Sequence, residues 1–194
     1  MFSYNKFLQY PIKIKKPDPR LANVIITQYG GPNGELGASL RYLSQRYMMP
    51  DDVTKGLLTD IGTEELGHLE MIGTLVTQLS GGVPPEEWLK LGTAEYYADN
   101  GASVFPQSAQ GSPFTAASIA VTGDPLTNLY ENMAAEQKAR AVYDNILRLS
   151  DDVDVNNVIK FLREREVVHF QRFGEALDKI QQNLTEKNKF YMSK

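Results

Sequence analysis

"TEELGHLE", residues 63–70, sets a histidine three positions after a glutamate in a stretch that otherwise reads as one long amphipathic helix. The only other histidine of the chain arrives in "REREVVHF", residues 163–170, again three positions after a glutamate. Helical residues three apart share a face, so each pair presents a carboxylate and an imidazole in one direction. The apolar neighbours say which. Val155, Ile159, Leu162, Phe173, Leu177 and Ile180 fall on one stripe of 3.6-residue period with Glu166 and His169; Leu58, Ile61, Leu69, Ile72 and Val76 do the same around Glu65 and His68. Both pairs therefore face a core, where an uncompensated carboxylate costs several kcal/mol. Either histidine alone would read as an ordinary core residue. Their matched escorts argue for a site.

The compensation is found on two further helices. The pattern E-x2-A-x3-Y-x22-E-x2-H occurs twice, as Glu35, Ala38, Tyr42, Glu65 and His68, and as Glu136, Ala139, Tyr143, Glu166 and His169. This is an internal repeat of helical hairpins. Two Glu-x-x-His helices and two single-Glu helices, all facing inward, give four carboxylates and two imidazoles, the dinuclear arrangement of ferritin-like bundles. Four negative charges balance two divalent cations, and an oxygen-rich set with two nitrogens favours manganese or iron without separating them. Glu65, as the glutamate of an inward Glu-x-x-His, suits a bridging position. Ala38, Ser39 and Ala139 leave the site room. Tyr42 and Tyr143, two turns from Glu35 and Glu136, suit supporting hydrogen bonds to them or plain bundle packing. Glu131 lies off the Glu136 face, and Glu64, Glu70, Glu164 and Glu175 read as surface charges.

The remaining punctuation predicts a single all-α domain, a four-helix bundle over residues 19–184 preceded by an arm, 1–18, and followed by a loose tail, 185–194. The first helix opens at Pro19 and runs to 48, with "YGGPNGE" kinking rather than ending it. Asp51 or Asp52 caps the second, which "SGGVPP" stops near Leu79. Residues 81–123, rich in Gly, Ser, Pro and Ala, form a long surface crossover with one short turn of helix around Glu86–Leu91. Thr122 or Asp124 caps the third helix with Pro125 in its first turn, and "DDVD" launches the fourth. A crossover this long makes the second and third helices parallel. The arm and residues 92–118 carry aromatic and small residues without a helical period, so they are expected to lie across neighbouring chains of a homo-oligomer and to wall off the site.

Composition narrows the function classes. A formal charge of -4 and a pI near 5.3 give no support for nucleic-acid or anionic-membrane binding. Without cysteine there is neither a disulfide framework nor a thiolate metal site. The N-terminal stretch lacks the apolar run of a signal peptide and no segment has the length of a membrane span, so cytoplasmic synthesis is expected.

The stretches "GGPNGELGASLRYLSQ", "LLTDIGTEELGHLEMIGTLV", "AAEQKARAVYDNI" and "IKFLREREVVHFQRF" resemble the manganese catalase family, and the compact length resembles its spore-coat, CotJC-type branch. The resemblance implies two manganese ions per chain, hydrogen peroxide as substrate, and Glu35, Glu65, His68, Glu136 and His169 as ligands. It implies for Glu166 the role of a base beside the metals or of a further ligand. It also implies a homo-oligomer, a hexamer in related catalases, and a place in the spore coat among other coat proteins. A di-iron peroxidase or ferroxidase, and a coat protein whose metal site only holds the bundle together, are the competing readings; metal identity separates the first and oxygen release from peroxide the second.

Overall fold

The chain was analysed as a computed structural model, which describes residues 7–186. In chain order the helices are α1 (Pro19–Ile25), α2 (Thr27–Gly30), α3 (Glu35–Gln45), α4 (Asp52–Ser80), α5 (Pro85–Lys90), α6 (Ala94–Asn100), α7 (Pro125–Leu149) and α8 (Val153–Glu186). Among the described residues there are no strands, only an isolated bridge between Gln107 and Pro113. Four helices, α3, α4, α7 and α8, form a ferritin-like bundle in which α3 packs on α4 and α7 on α8.

Local chemistry sets the boundaries. Asp51 accepts the Thr54 backbone N–H at 2.9 Å and starts α4. Asp124 accepts Thr127 N at 2.9 Å, with Pro125 in the first turn of α7. Asp152 accepts the N–H groups of Asp154 and Val155 at the start of α8. These side chains satisfy donors that a helix N-terminus leaves open.

The expected kink at 30–34 is a break. The backbone turns extended at Gly31, and α3 starts afresh with Gly34 as its extended N-cap. Two contacts explain it. A Cβ on Gly30 would lie 2.3 Å from Pro106 C and 2.4 Å from Gln107 N, and one on Gly34 would lie 2.7 Å from Gln28 O. The chain must pass these points as bare backbone. The break puts Glu35 in the first turn of α3, where the helix dipole favours a carboxylate.

The crossover carries a second helix, α6, beyond the one expected, and a few buried side chains pin it to the bundle, while residues 108–123 are half-buried or exposed. Trp88 is buried and stacks on Tyr96 at 6.3 Å between ring centres. Tyr96 donates to Ser103 O at 2.7 Å and accepts from Phe105 N at 3.1 Å. Further on, Arg41 and Gln45 of α3 donate to the carbonyls of Ser118 and Ala120. The arm also packs on its own chain, contrary to expectation. Ile12 is buried, Tyr10 packs on Phe161, and Gln78 of α4 both donates to Ile12 O and accepts from Ile14 N. Apolar side chains at alternate positions, Leu8, Tyr10, Ile12 and Ile14, reach the core as an extended strap does, a period that a search for helices passes over. The expectations for residues 1–6 and 187–194 lie outside the described residues.

The core is in two parts. One cluster contains Met71, Ile72, Leu75, Tyr143, Ile146, Ile159 and Leu162. The other contains Tyr42, Leu58, Ile61, Leu129, Phe173 and Leu177. Along α4 and α8, Glu65, His68, Glu166 and His169 fall between the residues of these two clusters. A polar layer thus divides the bundle core.

Candidate metal centre

All six residues of the repeated pattern's carboxylate and imidazole set converge in this layer. Glu35, Glu65, Glu136, Glu166, His68 and His169 are each at most 2% exposed. They form two groups, Glu35, Glu65, His68 and Glu166, and Glu65, Glu136, Glu166 and His169. Within each group one ligand atom per residue lies within 4.8 Å of all the others. Glu65 and Glu166 belong to both, so each group takes one histidine and one single-helix glutamate, and shares the remaining two carboxylates.

Glu65 spans the histidines. Its Oε2 lies 2.7 Å from His68 Nδ1 and its Oε1 lies 3.0 Å from His169 Nδ1. The imidazoles stack loosely at 5.6 Å between centres. Glu35 Oε2 is 3.8 Å from His68 Nδ1, and Glu136 Oε2 is 3.7 Å from His169 Nδ1. The same ring nitrogen, Nδ1, therefore faces inward on both histidines.

Orphaned atoms test whether this donor set fits metal. Glu65 Oε1, Glu136 Oε2, Glu166 Oε1 and His169 Nδ1 are buried without a hydrogen-bond partner. His169 Nδ1 and Glu65 Oε1 are close enough for a hydrogen bond but not aligned for one. Unpaired buried polar atoms cost free energy, and here they gather from three helices, α4, α7 and α8, around common points. Carboxylate oxygens with one imidazole nitrogen per point suit hard or borderline divalent cations such as manganese or iron. The residues fit a dinuclear centre.

The electrostatics follow from burial. Burial, and then the charge of Glu65, push Glu35 up to about 7. Burial and the neighbouring glutamates, Glu136 first, push Glu166 well above the carboxylate range. Glu65 is held low despite burial, because both histidines face it. His169, despite burial, is pushed up to about 12 by Glu65 and its other carboxylate neighbours. His68 rises for the same reason. Burial and repulsion thus favour a proton on Glu166, and the surrounding carboxylates favour charged imidazoles, where cations would otherwise balance the charge.

The tyrosines cross over. Tyr42 donates to Glu136 and Tyr143 to Glu35, each reaching the opposite half of the repeat rather than the glutamate of its own helix. Ser39, expected to give the site room, instead donates to Gly62 O at 2.7 Å, holding α3 close to α4. Gly62 permits this approach, since a Cβ there would lie 2.8 Å from Leu43 Cγ.

Glu64 is not the surface charge it was expected to be. Its side chain is 14% exposed and accepts from His169 Nε2 at 3.0 Å and from Arg165 at 2.8 and 3.2 Å. His68 Nε2 stands 3.6 Å away. The available signal was the i, i+4 spacing of Glu64 and His68 on one helix. Glu70, Glu164 and Glu175 are exposed, and Glu131, off the centre, pairs with Lys138.

Comparison with known proteins agrees with this geometry. A family model described as manganese containing catalase matches residues 1–189. Protein CotJC of Bacillus subtilis (strain 168) is 49% identical over 190 residues, covering 98% of this chain and 100% of that protein. A probable manganese catalase of Clostridium acetobutylicum is 36% identical over 200 residues, covering 98% and 89%. The crystal structure of KatB, a manganese catalase from Anabaena, superposes with a TM-score of 0.85 at 32% identity, covering 93% of this chain and 81% of that one. The chain belongs to the manganese-containing catalase family.

Proposed function

We propose that the protein is a dimanganese catalase that converts two molecules of hydrogen peroxide to two of water and one of oxygen, with Glu35, Glu65, His68, Glu136, Glu166 and His169 holding two manganese ions per chain. The observation that carries this reading is the pair of buried ligand groups that share Glu65 and Glu166. Bound manganese would supply the two-electron redox capacity: one peroxide is oxidised to oxygen, releasing two protons and two electrons, and a second takes them up to become two waters.

The chain's own residues must hold the ions and handle the protons. Glu166 is the candidate proton carrier. Burial and neighbouring charge raise its proton affinity, and its Oε1 has no competing hydrogen-bond partner; ionised once cations balance the cluster, it would take a proton from one peroxide and return it to the next. Tyr42 and Tyr143 fix the carboxylates of Glu136 and Glu35. The apolar clusters on either side exclude bulk water, so that the site serves small neutral molecules.

Likeness to the CotJC-type branch supports a place in the spore coat with coat proteins as partners, and likeness to the catalases supports a homo-oligomer, a hexamer. The exposed apolar residues Tyr47 and Met48, between α3 and α4, and Val53, in the first turn of α4, offer surface for such contacts. The deciding experiment is oxygen evolution from peroxide by protein reconstituted with manganese, beside a sample reconstituted with iron. Peroxide consumption without oxygen release would favour a di-iron peroxidase, and inertness with both metals would favour a structural coat protein.

A further inference from the structure

We propose that Glu64 is a positioning residue for both histidines of the metal centre, one carboxylate that selects which nitrogen of each ring is offered to metal. The proposal rests on reading the six-residue cluster as a metal centre, but not on the reaction carried out there.

The argument starts from the imidazole. A neutral ring carries one N–H, and the nitrogen without it has the lone pair a metal needs. In this bundle Nδ1 of both rings faces the carboxylate cluster, and Nε2 of both rings faces outward to Glu64. A carboxylate can only accept at such a point. Carboxylates stand at both nitrogens of each ring, Glu65 being 2.7 and 3.0 Å from the two Nδ1 atoms; a cation held among the cluster would replace the proton on Nδ1, and Glu64 keeps the remaining proton on Nε2, its charge making Nδ1 more basic.

Glu64 is itself held in place. Arg165 grips it through two nitrogens, Nε to Oε1 at 2.8 Å and Nη2 to Oε2 at 3.2 Å, a forked geometry that fixes the carboxylate plane. From the N-terminal strap, Gln9 Nε2 donates to Oε1 at 3.3 Å. Both oxygens of Glu64 accept from nitrogens, those of Arg165, Gln9 and His169.

The internal repeat explains why a single residue can serve both rings. Glu64 precedes Glu65 as Arg165 precedes Glu166, so the two are equivalent positions of the two hairpins. The fold brings them face to face. Two carboxylates there would repel each other, and two arginines would give the rings no acceptor. One of each gives a single acceptor for two imidazoles and neutralises its charge. This makes the centre unequal: Oε2 lies 3.0 Å from His169 Nε2, whereas Oε1, already engaged by Arg165 and Gln9, lies 3.6 Å from His68 Nε2. The histidine of the second hairpin is held by a hydrogen bond, whereas Nε2 of the first stands 3.6 Å from the carboxylate, beyond hydrogen-bond distance.

The experiment is a manganese(II) titration of the full chain, with free ion read from its paramagnetic resonance signal and folding checked by circular dichroism. Glu64→Ala is expected to weaken manganese binding about 10- to 100-fold, with the larger loss at the His169 group; Arg165→Met should cost less, because the carboxylate remains. If the alanine variant fails to fold, Glu64→Gln carries the test, since it keeps the shape and removes the charge. In a His169→Gln background the same Glu64→Gln change should cost far less than in the wild type, because the ring it acts through is gone. Wild-type affinity in Glu64→Gln, or an equal loss in both backgrounds, would overturn the proposal. A chain that binds two ions with this dependence on Glu64 yet releases no oxygen would retain the proposal and remove the catalase reading. A wild-type chain that binds no manganese would remove both.

Discussion

Tyr42 on α3 hydrogen-bonds Glu136 on α7, and the mirror contact, Tyr143 to Glu35, makes α3 and α7 antiparallel partners joined across the repeat. Each tyrosine also belongs to a different apolar cluster, Tyr143 to one and Tyr42 to the other. The phenol rings thus pack in the cores while their hydroxyls brace the polar layer between them. Burial and the facing glutamates push both hydroxyls well above the usual tyrosine range, so they act as donors. Tyr42→Phe should retain two metals per chain by elemental analysis, while thermal unfolding shows a loss of about 1–3 kcal/mol from the unpaired Glu136 oxygen. Loss of metal would promote Tyr42 from brace to ligand support.

Glu65 is the residue on which both ligand groups depend. It is fully buried, faces both histidines, and has one oxygen toward each. Removing it takes a shared carboxylate from each group, so Glu65→Ala should lose both metals, whereas Glu35→Ala, affecting one group only, should leave one group's ligands complete. Metal content by elemental analysis separates the two. Two ions retained in the Glu65 variant would refute the shared position.

Metal uptake should depend on pH with a definite sign. The imidazoles have proton affinities raised by the carboxylates around them, with His169 pushed up to about 12, and Glu166 is raised by burial and its neighbours. At neutral pH these groups hold protons that a cation must displace, so binding releases protons and apparent affinity rises with pH. Adding manganese to weakly buffered protein should acidify the solution, and titrations at pH 6 and pH 8 should show tighter binding at the higher value. No acidification, or the opposite trend, would mean that the protons are not on these groups.

The site was more legible in the sequence than its supports. Glu65, His68, Glu166 and His169 could be read because helical period and an internal repeat both act along one chain segment. Glu64 gave only its i, i+4 spacing to His68, because its hydrogen-bonded partners Arg165 and His169 lie on another helix. The crossed tyrosine pairing was hidden for the same reason: spacing gives the glutamate two turns away, and only helix packing gives the one opposite. The break before α3 depends on backbone contact between Gly30 and Pro106–Gln107, a meeting of distant segments that no local pattern reports.

That contact can be tested by contrast with another glycine. A Cβ at Gly30 would overlap backbone atoms of Pro106 and Gln107, whereas one at Gly56, on α4, would meet nothing within 4 Å. Gly30→Ala should therefore destabilise the protein by about 1–3 kcal/mol, because backbone cannot swing aside as a side chain can. Gly56→Ala should stabilise it by about 0.5–1 kcal/mol through helix propensity. Chemical denaturation of both variants checks the pair, and equal effects would show that the crossover does not press on Gly30.

The N-terminal strap offers a final test, because it packs on its own chain without regular secondary structure. Its backbone is held at one point by Gln78, which donates to Ile12 O at 3.1 Å and accepts from Ile14 N at 2.8 Å, replacing the ladder a neighbouring strand would supply. Ile12 is buried in the same cluster as Leu75 and Leu79, and Lys15 pairs with Asp154 at 3.1 Å on an exposed edge, a contact worth little. The strap's attachment therefore lies with Ile12 and Gln78. Ile12→Ala should cost about 2 kcal/mol or more, Gln78→Ala should expose the Ile14 amide to rapid hydrogen exchange, and Lys15→Ala should change neither by a measurable amount. Because Gln9 of the same strap reaches Glu64, loosening it with Ile12→Ala should also weaken manganese binding slightly. An Ile14 amide that exchanges quickly in the wild type would show that this end of the strap is not anchored on α4.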